Sequence, residues 1–160
     1  MLSMSIWIFL LITSIAILGC MRLFLSPKID RIKKETYNRA FKLGLFLVIF
    51  DFIFENAGLL AGYWYTSGSV LQLGAVPIEV VGIAFCAGYA YSLLFKEKYQ
   101  KFNWEIGFFT SLLIAVVGTL IEAILVSQGV LTYTGGWTSM HALISYFITF
   151  FIMHKVNSML

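Results

Sequence analysis

Apolar residues run almost unbroken through five stretches of the chain: Met4–Leu25, Leu43–Trp64, Pro77–Phe95, Ile106–Gln128 and His141–Val156. A helix needs about 20 mostly apolar residues to cross a bilayer, so the pattern predicts five transmembrane helices, the last of them short. The fold expected is all-α. It is a polytopic membrane helical bundle of about five transmembrane helices forming one transmembrane domain over residues 1–160, with helix one over 4–25, a first hairpin over 43–95 and a second over 106–156. The linker Ser26–Lys42 is polar and basic and is expected to be partly helical at the interface. Lys96–Glu105 is short and charged. Tyr65–Val76 and Gly129–Met140 hold no charged residue and are rich in Gly, Ser, Thr and aromatics.

Composition supports lipid as the solvent. Hydrophobic residues make up 60% of the chain and charged ones 12%, with a mean hydropathy of +0.89. A soluble domain of this length cannot hide that much apolar surface. The net charge of +3 says less than where the charges fall. Arg22, Lys28, Arg31, Lys33, Lys34, Arg39 and Lys42 lie at or between helices one and two. Lys96, Lys98 and Lys101 lie between helices three and four, and Lys155 is near the C-terminus. All of them fall on one side, which the positive-inside rule makes cytoplasmic. The reading is a multi-pass protein of the cell membrane with its N-terminus outside and its C-terminus in the cytoplasm. No basic stripe suits nucleic acid. Cys20 and Cys86 both lie in apolar runs, which speaks against a disulfide framework. Ile17-Leu18-Gly19-Cys20 is only loosely like a lipoprotein cleavage box, and Met1–Ser5 lacks the basic region of a signal peptide, so the first run is kept as a membrane helix.

The two hairpins echo one another. Glu55-Asn-Ala-Gly-Leu-Leu-Ala-Gly62 leads into Tyr63-Trp64-Tyr65-Thr66-Ser67-Gly68. Glu122-Ala-Ile-Leu-Val-Ser-Gln-Gly129 leads into Val130-Leu131-Thr132-Tyr133-Thr134-Gly135. Both read as Glu, six residues, Gly, then Tyr-Thr and Gly. A tandem repeat of this kind would relate the hairpins by an axis along the membrane normal.

Four acids fall inside the spans: Asp51, Glu55, Glu79 and Glu122. No Lys or Arg lies in any span away from its cytoplasmic end. An ionised carboxylate at the bilayer centre costs about 2.5–3.5 kcal/mol or more, and such residues mark function. Glu55 precedes Trp64 by nine residues, so it is expected about 13 Å below the outer end, with Glu122 about 10 Å and Glu79 about 3 Å below it. Asp51 is one turn deeper on the face of Glu55. A common pocket toward the outer leaflet would gather them. Burial disfavours the charged form and close carboxyls repel, so at least one is expected as a neutral acid able to give a proton to a weak base. Tyr63, Trp64, Tyr65, Tyr133 and Trp137 ring the same level, and aromatic faces stabilise cations. An acid, aromatic walls and access from lipid are the equipment for isoprenoid cyclisation.

Plainer roles fit several of these residues. Glu79 two positions after Pro77 suits a first-turn acid at the positive end of a helix. Asp51 suits a bond to a neighbouring helix, Glu55 and Glu122 a buried structural pair, and the Tyr and Trp residues an interfacial belt. His141 opens helix five as an interfacial or catalytic group, and His154 reads as interfacial. Phosphate loops, zinc spacings and nucleophile elbows are absent, no metal site is indicated, and no cofactor signature is present.

The segment Glu55-x2-Gly58-x3-Gly62-x-Trp64 followed by Gly74-x2-Pro77-Ile78-Glu79 resembles the lycopene cyclase domain of carotenoid biosynthesis and the related integral membrane terpene cyclases. The likeness covers about thirty residues well and the second hairpin loosely. It implies acid roles for Glu55 and Glu79. Val80 stands where that family has a second acid, and Ser139-Met140-His141 fills the Pro-Ile-Glu position of the second hairpin, which weakens the carotenoid expectation and leaves a broader isoprenoid one. The expected function is therefore an isoprenoid cyclase acting on a lipophilic substrate taken from membrane lipid, with Glu55, Glu79, Glu122 and His141 catalytic and Asp51, Tyr63, Trp64, Tyr65, Tyr133 and Trp137 binding. A small proton-coupled transporter or channel, to which a homodimer would also be suited, is the rival reading, and a non-catalytic membrane subunit is a third.

Overall fold

The computed structural model describes residues 2–25, 30–74, 76–95 and 102–160. The basic positions Lys28, Lys96, Lys98 and Lys101, and the side chains of Arg31 and Lys33, lie outside the described residues. Among the described residues there are five helices: α1 (Leu2–Phe24), α2 (Asp30–Leu60), α3 (Ile78–Leu94), α4 (Trp104–Ser127) and α5 (Ser139–Asn157). Short strands fill the two uncharged linkers, β1 (Trp64–Thr66), β2 (Gln72–Leu73) and β3 (Val76–Pro77) before α3, and β4 (Leu131–Tyr133) before α5.

Four of the helices are long and apolar enough to cross a membrane, over Ile6–Phe24, Lys34–Leu60, Trp104–Ser127 and Ser139–Asn157. α3 has 17 residues, about 25 Å at 1.5 Å per residue, short of a hydrocarbon core of about 30 Å. The apolar run through Pro77 and Phe95 overstated it. Pro77 is extended, with ψ 135°, and belongs to β3. α2 extends the other way, continuing through the charged linker expected to be partly helical. Its Lys, Arg and Glu residues are good helix formers, so polarity there sets exposure and not the end of the helix. α5 is likewise longer than its apolar run, by Ser139 and Met140 at its start and Asn157 at its end.

The helices form two antiparallel hairpins, α2 against α3 and α4 against α5, with α1 laid on α3 and a lighter contact between α2 and α5. At Gly88 a Cβ would stand 2.7 Å from the Leu43 carbonyl and 2.9 Å from the Gly44 Cα. The absence of side chains there lets α2 and α3 touch backbone to backbone, as small residues do between membrane helices. Near the same level Leu43, Leu47, Ala84 and Tyr91 pack with Phe150 and Met153 of α5, joining the hairpins.

At the opposite end the hairpins are joined by backbone. α2 and α4 finish alike. Gly62 and Gly129 have φ of 73° and 69°. Their N–H groups donate to the carbonyls of Leu59 and Val126, and the following N–H groups to those of Gly58 and Leu125. This left-handed glycine termination turns each chain out of its helix. The strands that follow pair antiparallel, Trp64 with Tyr133, Tyr65 with Thr132 and Thr66 with Leu131. The exchange that carries Gly62 onto Gly129 carries the Trp64–Tyr133 pair onto Leu131–Thr66 and leaves Tyr65 facing Thr132. The outer faces of the bundle are apolar, with Phe9, Ile53, Phe109, Leu120 and Ile148 exposed. Contiguous greasy faces of this kind are compatible with a lipid surround.

Candidate functional site

Between the hairpins, bounded by the packed layer at one end and the β1–β4 ribbon at the other, lies a partly open, mainly apolar cavity of about 460 Å³. All four helices of the hairpins line it, and α1 does not. Along α2 the lining runs from Leu47 to Glu55, roughly 12 Å at 1.5 Å per residue. The volume falls within the range of small-molecule sites, which are mostly apolar with a few placed polar groups.

Three carboxylates are those polar groups: Asp51 and Glu55 from α2 and Glu122 from α4. Asp51 and Glu55 share a helix face because four residues make about one turn. Glu55 and Glu122 each lie five residues before the last residue of their helices, some 7–8 Å below the helix ends. Glu55 is therefore shallower than its distance from Trp64 suggests, because α2 stops at Leu60 and not at Trp64. Glu122 lies within electrostatic reach of Glu55, and Tyr146 of α5 within reach of all three acids. Asp51 Oδ2 and Glu122 Oε2 are buried and have no hydrogen-bond partner among the described residues.

Glu55 is held. The Trp64 indole N–H donates to its Oε2 at 2.8 Å. The indole lies flat over Gly58, where a Cβ would stand 2.0 Å from the ring. Trp64 meets Trp137 at 4.6 Å between centroids and Phe54 at 5.6 Å. These rings close the acid end of the cavity.

The remaining sequence candidates sit elsewhere. Glu79 is fully buried but does not line the cavity. It accepts from the Ser69 hydroxyl at 2.6 Å and the Val70 N–H at 2.9 Å, so it anchors the loop ahead of β2. His141 is exposed in the first turn of α5. Its Nδ1 pairs with the Thr138 hydroxyl at 2.8 Å, and its ring packs on Trp137 at 5.2 Å. Tyr63 touches the Trp137 ring at 5.3 Å from outside, and Tyr65 is exposed in β1. Tyr133 stands beside Glu122, near enough for its phenol to interact with the carboxyl by charge and weak hydrogen bonding, but outside strict hydrogen-bond geometry, which leaves Glu122 Oε2 without a well-formed partner. His154, expected at the interface, is buried instead, with Nδ1 2.7 Å from the Tyr91 hydroxyl.

Sequence reasoning missed the α5 wall. Ala142, Ser145, Tyr146, Thr149 and Phe150 line the cavity, and Tyr146 packs on Gly118 of α4, where a Cβ would come within 3.3 Å of its ring. The signal was present, since small and polar residues recur there at helical spacing on one face of an apolar segment.

Comparison with models of protein families, with curated proteins and with solved structures returns nothing similar. The site is therefore read from its own chemistry. Among the described residues no group of three His, Cys, Asp or Glu side chains is close enough to hold a metal ion. The lining among the described residues includes carboxyl, indole, phenol and small hydroxyl groups and no Lys, Arg or His. Such a lining repels a phosphorylated head group. It accepts an uncharged or positively charged apolar molecule, and its acids stand where they can give or take a proton.

Proposed function

We propose that this chain is an integral membrane isoprenoid cyclase, with its N-terminus outside, its C-terminus cytoplasmic and its hairpins related as a tandem repeat. The observation that carries the reading is the convergence of Asp51, Glu55 and Glu122 on one apolar cavity walled by Trp64 and Trp137. The gathering of every Lys and Arg at one side of the spans supports the orientation. The matching helix ends and the symmetric register of β1 and β4 support the repeat.

In this reading a carboxylic acid, best filled by Glu122, which faces the cavity and whose Oε2 has no well-formed hydrogen bond, transfers its proton to a terminal alkene. The new C–H bond leaves a tertiary cation. The next double bond attacks that cation and closes a ring, while the Trp64 and Trp137 faces stabilise the migrating charge. Glu55, fixed by the Trp64 N–H, takes a proton from the adjacent carbon and a new alkene forms. The sequence is an isomerisation with no change of oxidation state. Asp51 adds negative charge beside the cation. Glu79 and His141 keep no part in the chemistry here, being committed to the Ser69–Val70 loop and to the start of α5.

The test is expression in a host that accumulates acyclic polyprenyl compounds, with lipid extracts searched for cyclic isomers of unchanged mass. Glu55→Gln and Glu122→Gln should each abolish the product, since an amide neither gives nor takes the proton. Full product formation by both variants would remove the acid roles.

A further inference from the structure

We infer that the cavity between the hairpins is a binding site for a lipophilic amine, with the ammonium head at the acid end and the hydrocarbon tail toward Leu47 and Phe150. The inference shares the cavity of the cyclase reading and rests on its orientation of the acids, but not on turnover.

Charge carries the argument first. Three carboxylates face one cavity, and among the described residues no cationic side chain lines it. Buried acids in proteins are normally paired or hydrogen-bonded, yet Asp51 Oδ2 and Glu122 Oε2 are buried without partners. A ligand that brings a positive charge and one N–H donor gives the carboxyl at its head a hydrogen bond and all three acids a counter-charge.

Shape carries it second. Trp64 and Trp137 meet at 4.6 Å and 60°, and Phe54 stacks on Trp64, so indole faces and edges wall the same end as the carboxylates. Aromatic walls beside acids are the recognised receptor for alkylated ammonium ions. Away from the acids, Leu47, Ile83, Ala87, Ile114 and Phe150 give the cavity an apolar surface that takes the tail. A tertiary amine arriving neutral from the lipid accepts a proton from one carboxyl and remains as an ammonium–carboxylate pair. An alcohol of the same skeleton offers one hydrogen bond and no charge.

The test uses the full chain in phosphatidylcholine nanodiscs, titrated with N,N-dimethylfarnesylamine and with farnesol, which share a prenyl skeleton. Binding is read from tryptophan fluorescence, to which Trp64 and Trp137 contribute at the cavity wall. The amine should bind roughly tenfold or more tightly than the alcohol. The preference should fall to about twofold or less in the Glu55→Gln/Glu122→Gln double variant. Unchanged farnesol affinity in that variant shows that the cavity is intact, and if the double variant does not fold, the two single variants, each reducing the preference, serve instead. Equal binding of the two ligands overturns the inference, as does a preference that survives undiminished in the variants. Amine selectivity without cyclic product leaves this inference standing and removes the cyclase reading. Cyclic product without amine selectivity does the reverse.

Discussion

Gly58→Ala is the sharpest structural test of the site, because one methyl group sets two rings and an acid in motion. The added Cβ would stand 2.0 Å from Trp64 Cζ2 and 2.1 Å from Cη2, so the indole must leave the face of α2. Leaving breaks the 2.8 Å bond to Glu55 Oε2, and a hydrogen bond to an acid contributes about 1.5–3 kcal/mol. It also disturbs the contacts with Trp137 and Phe54, worth about 0.5–1.5 kcal/mol for an aromatic pair. Against this, alanine favours the helix by about 1 kcal/mol over glycine. The balance is a loss of roughly 2 kcal/mol. Unfolding titrations of the protein in mixed micelles, followed by circular dichroism, should show it. Gly19→Ala is the control, since its Cβ meets nothing within 4 Å and only the helix preference should appear, with unchanged or slightly higher stability. A Gly58→Ala protein as stable as the parent, with Trp64 fluorescence unshifted, would refute the account of how Glu55 is held.

Other substitutions separate structure from chemistry. Glu79→Ala leaves the Ser69 hydroxyl and Val70 N–H without their acceptor, so it should cost about 1–3 kcal/mol and open the loop over residues 67–71 to limited proteolysis. Any cyclic product formed by the folded fraction should be unaltered in structure. Tyr91→Phe removes the contact with His154 and should lower stability by about 1 kcal/mol in the same unfolding titration, with no change in amine or alcohol binding. Gly88→Val should push α2 from α3 and cost at least about 1–3 kcal/mol by overpacking, read as a lowered thermal midpoint. Tyr133, in β4, has its phenol held above the ordinary range near pH 10 by burial and by the Glu122 charge. Its folded form retains the proton more strongly than its unfolded form. Its contribution is therefore complete below about pH 10 and declines as pH rises toward the folded value. A difference absorbance titration against Tyr133→Phe should show this phenol ionising after the exposed tyrosines.

Much of the bundle was legible because lipid imposes a simple rule on composition, and long uncharged runs have few other fates. The rule marks grease and not helix, which is why the charged start of α2 read as linker and why Pro77 and Phe95 were counted into α3. Asp51, Glu55 and Glu122 were found because an acid in an apolar run is conspicuous and helical spacing puts Asp51 beneath Glu55. Their meeting with Trp64 and Trp137 was legible as a shared level. Glu79 was conspicuous for the same reason, yet its position in the first turn of α3 turns it toward Ser69 and Val70. Sequence shows that an acid is buried but not which donors come back to meet it. Tyr146 and Gly118 were invisible as a pair because they contact one another across two helices far apart in number. His154 looked interfacial by position, and its ring is enclosed by Gly107 of α4 together with Tyr91 and Phe95 at the end of α3.

The hairpins are fastened at both ends, by the β1–β4 ribbon above the acids and by the layer around Leu43, Phe150 and Met153 below them, and the cavity lining between these fastenings runs roughly 12 Å along α2. With both ends fastened, the chamber has a limited reach. A long molecule with two identical termini can offer only one of them at a time, with the remainder left outside. After the first terminus reacts, the molecule must withdraw, reverse and re-enter. On the cyclase reading, half-processed product should accumulate early and diminish later, which would mark the enzyme as distributive.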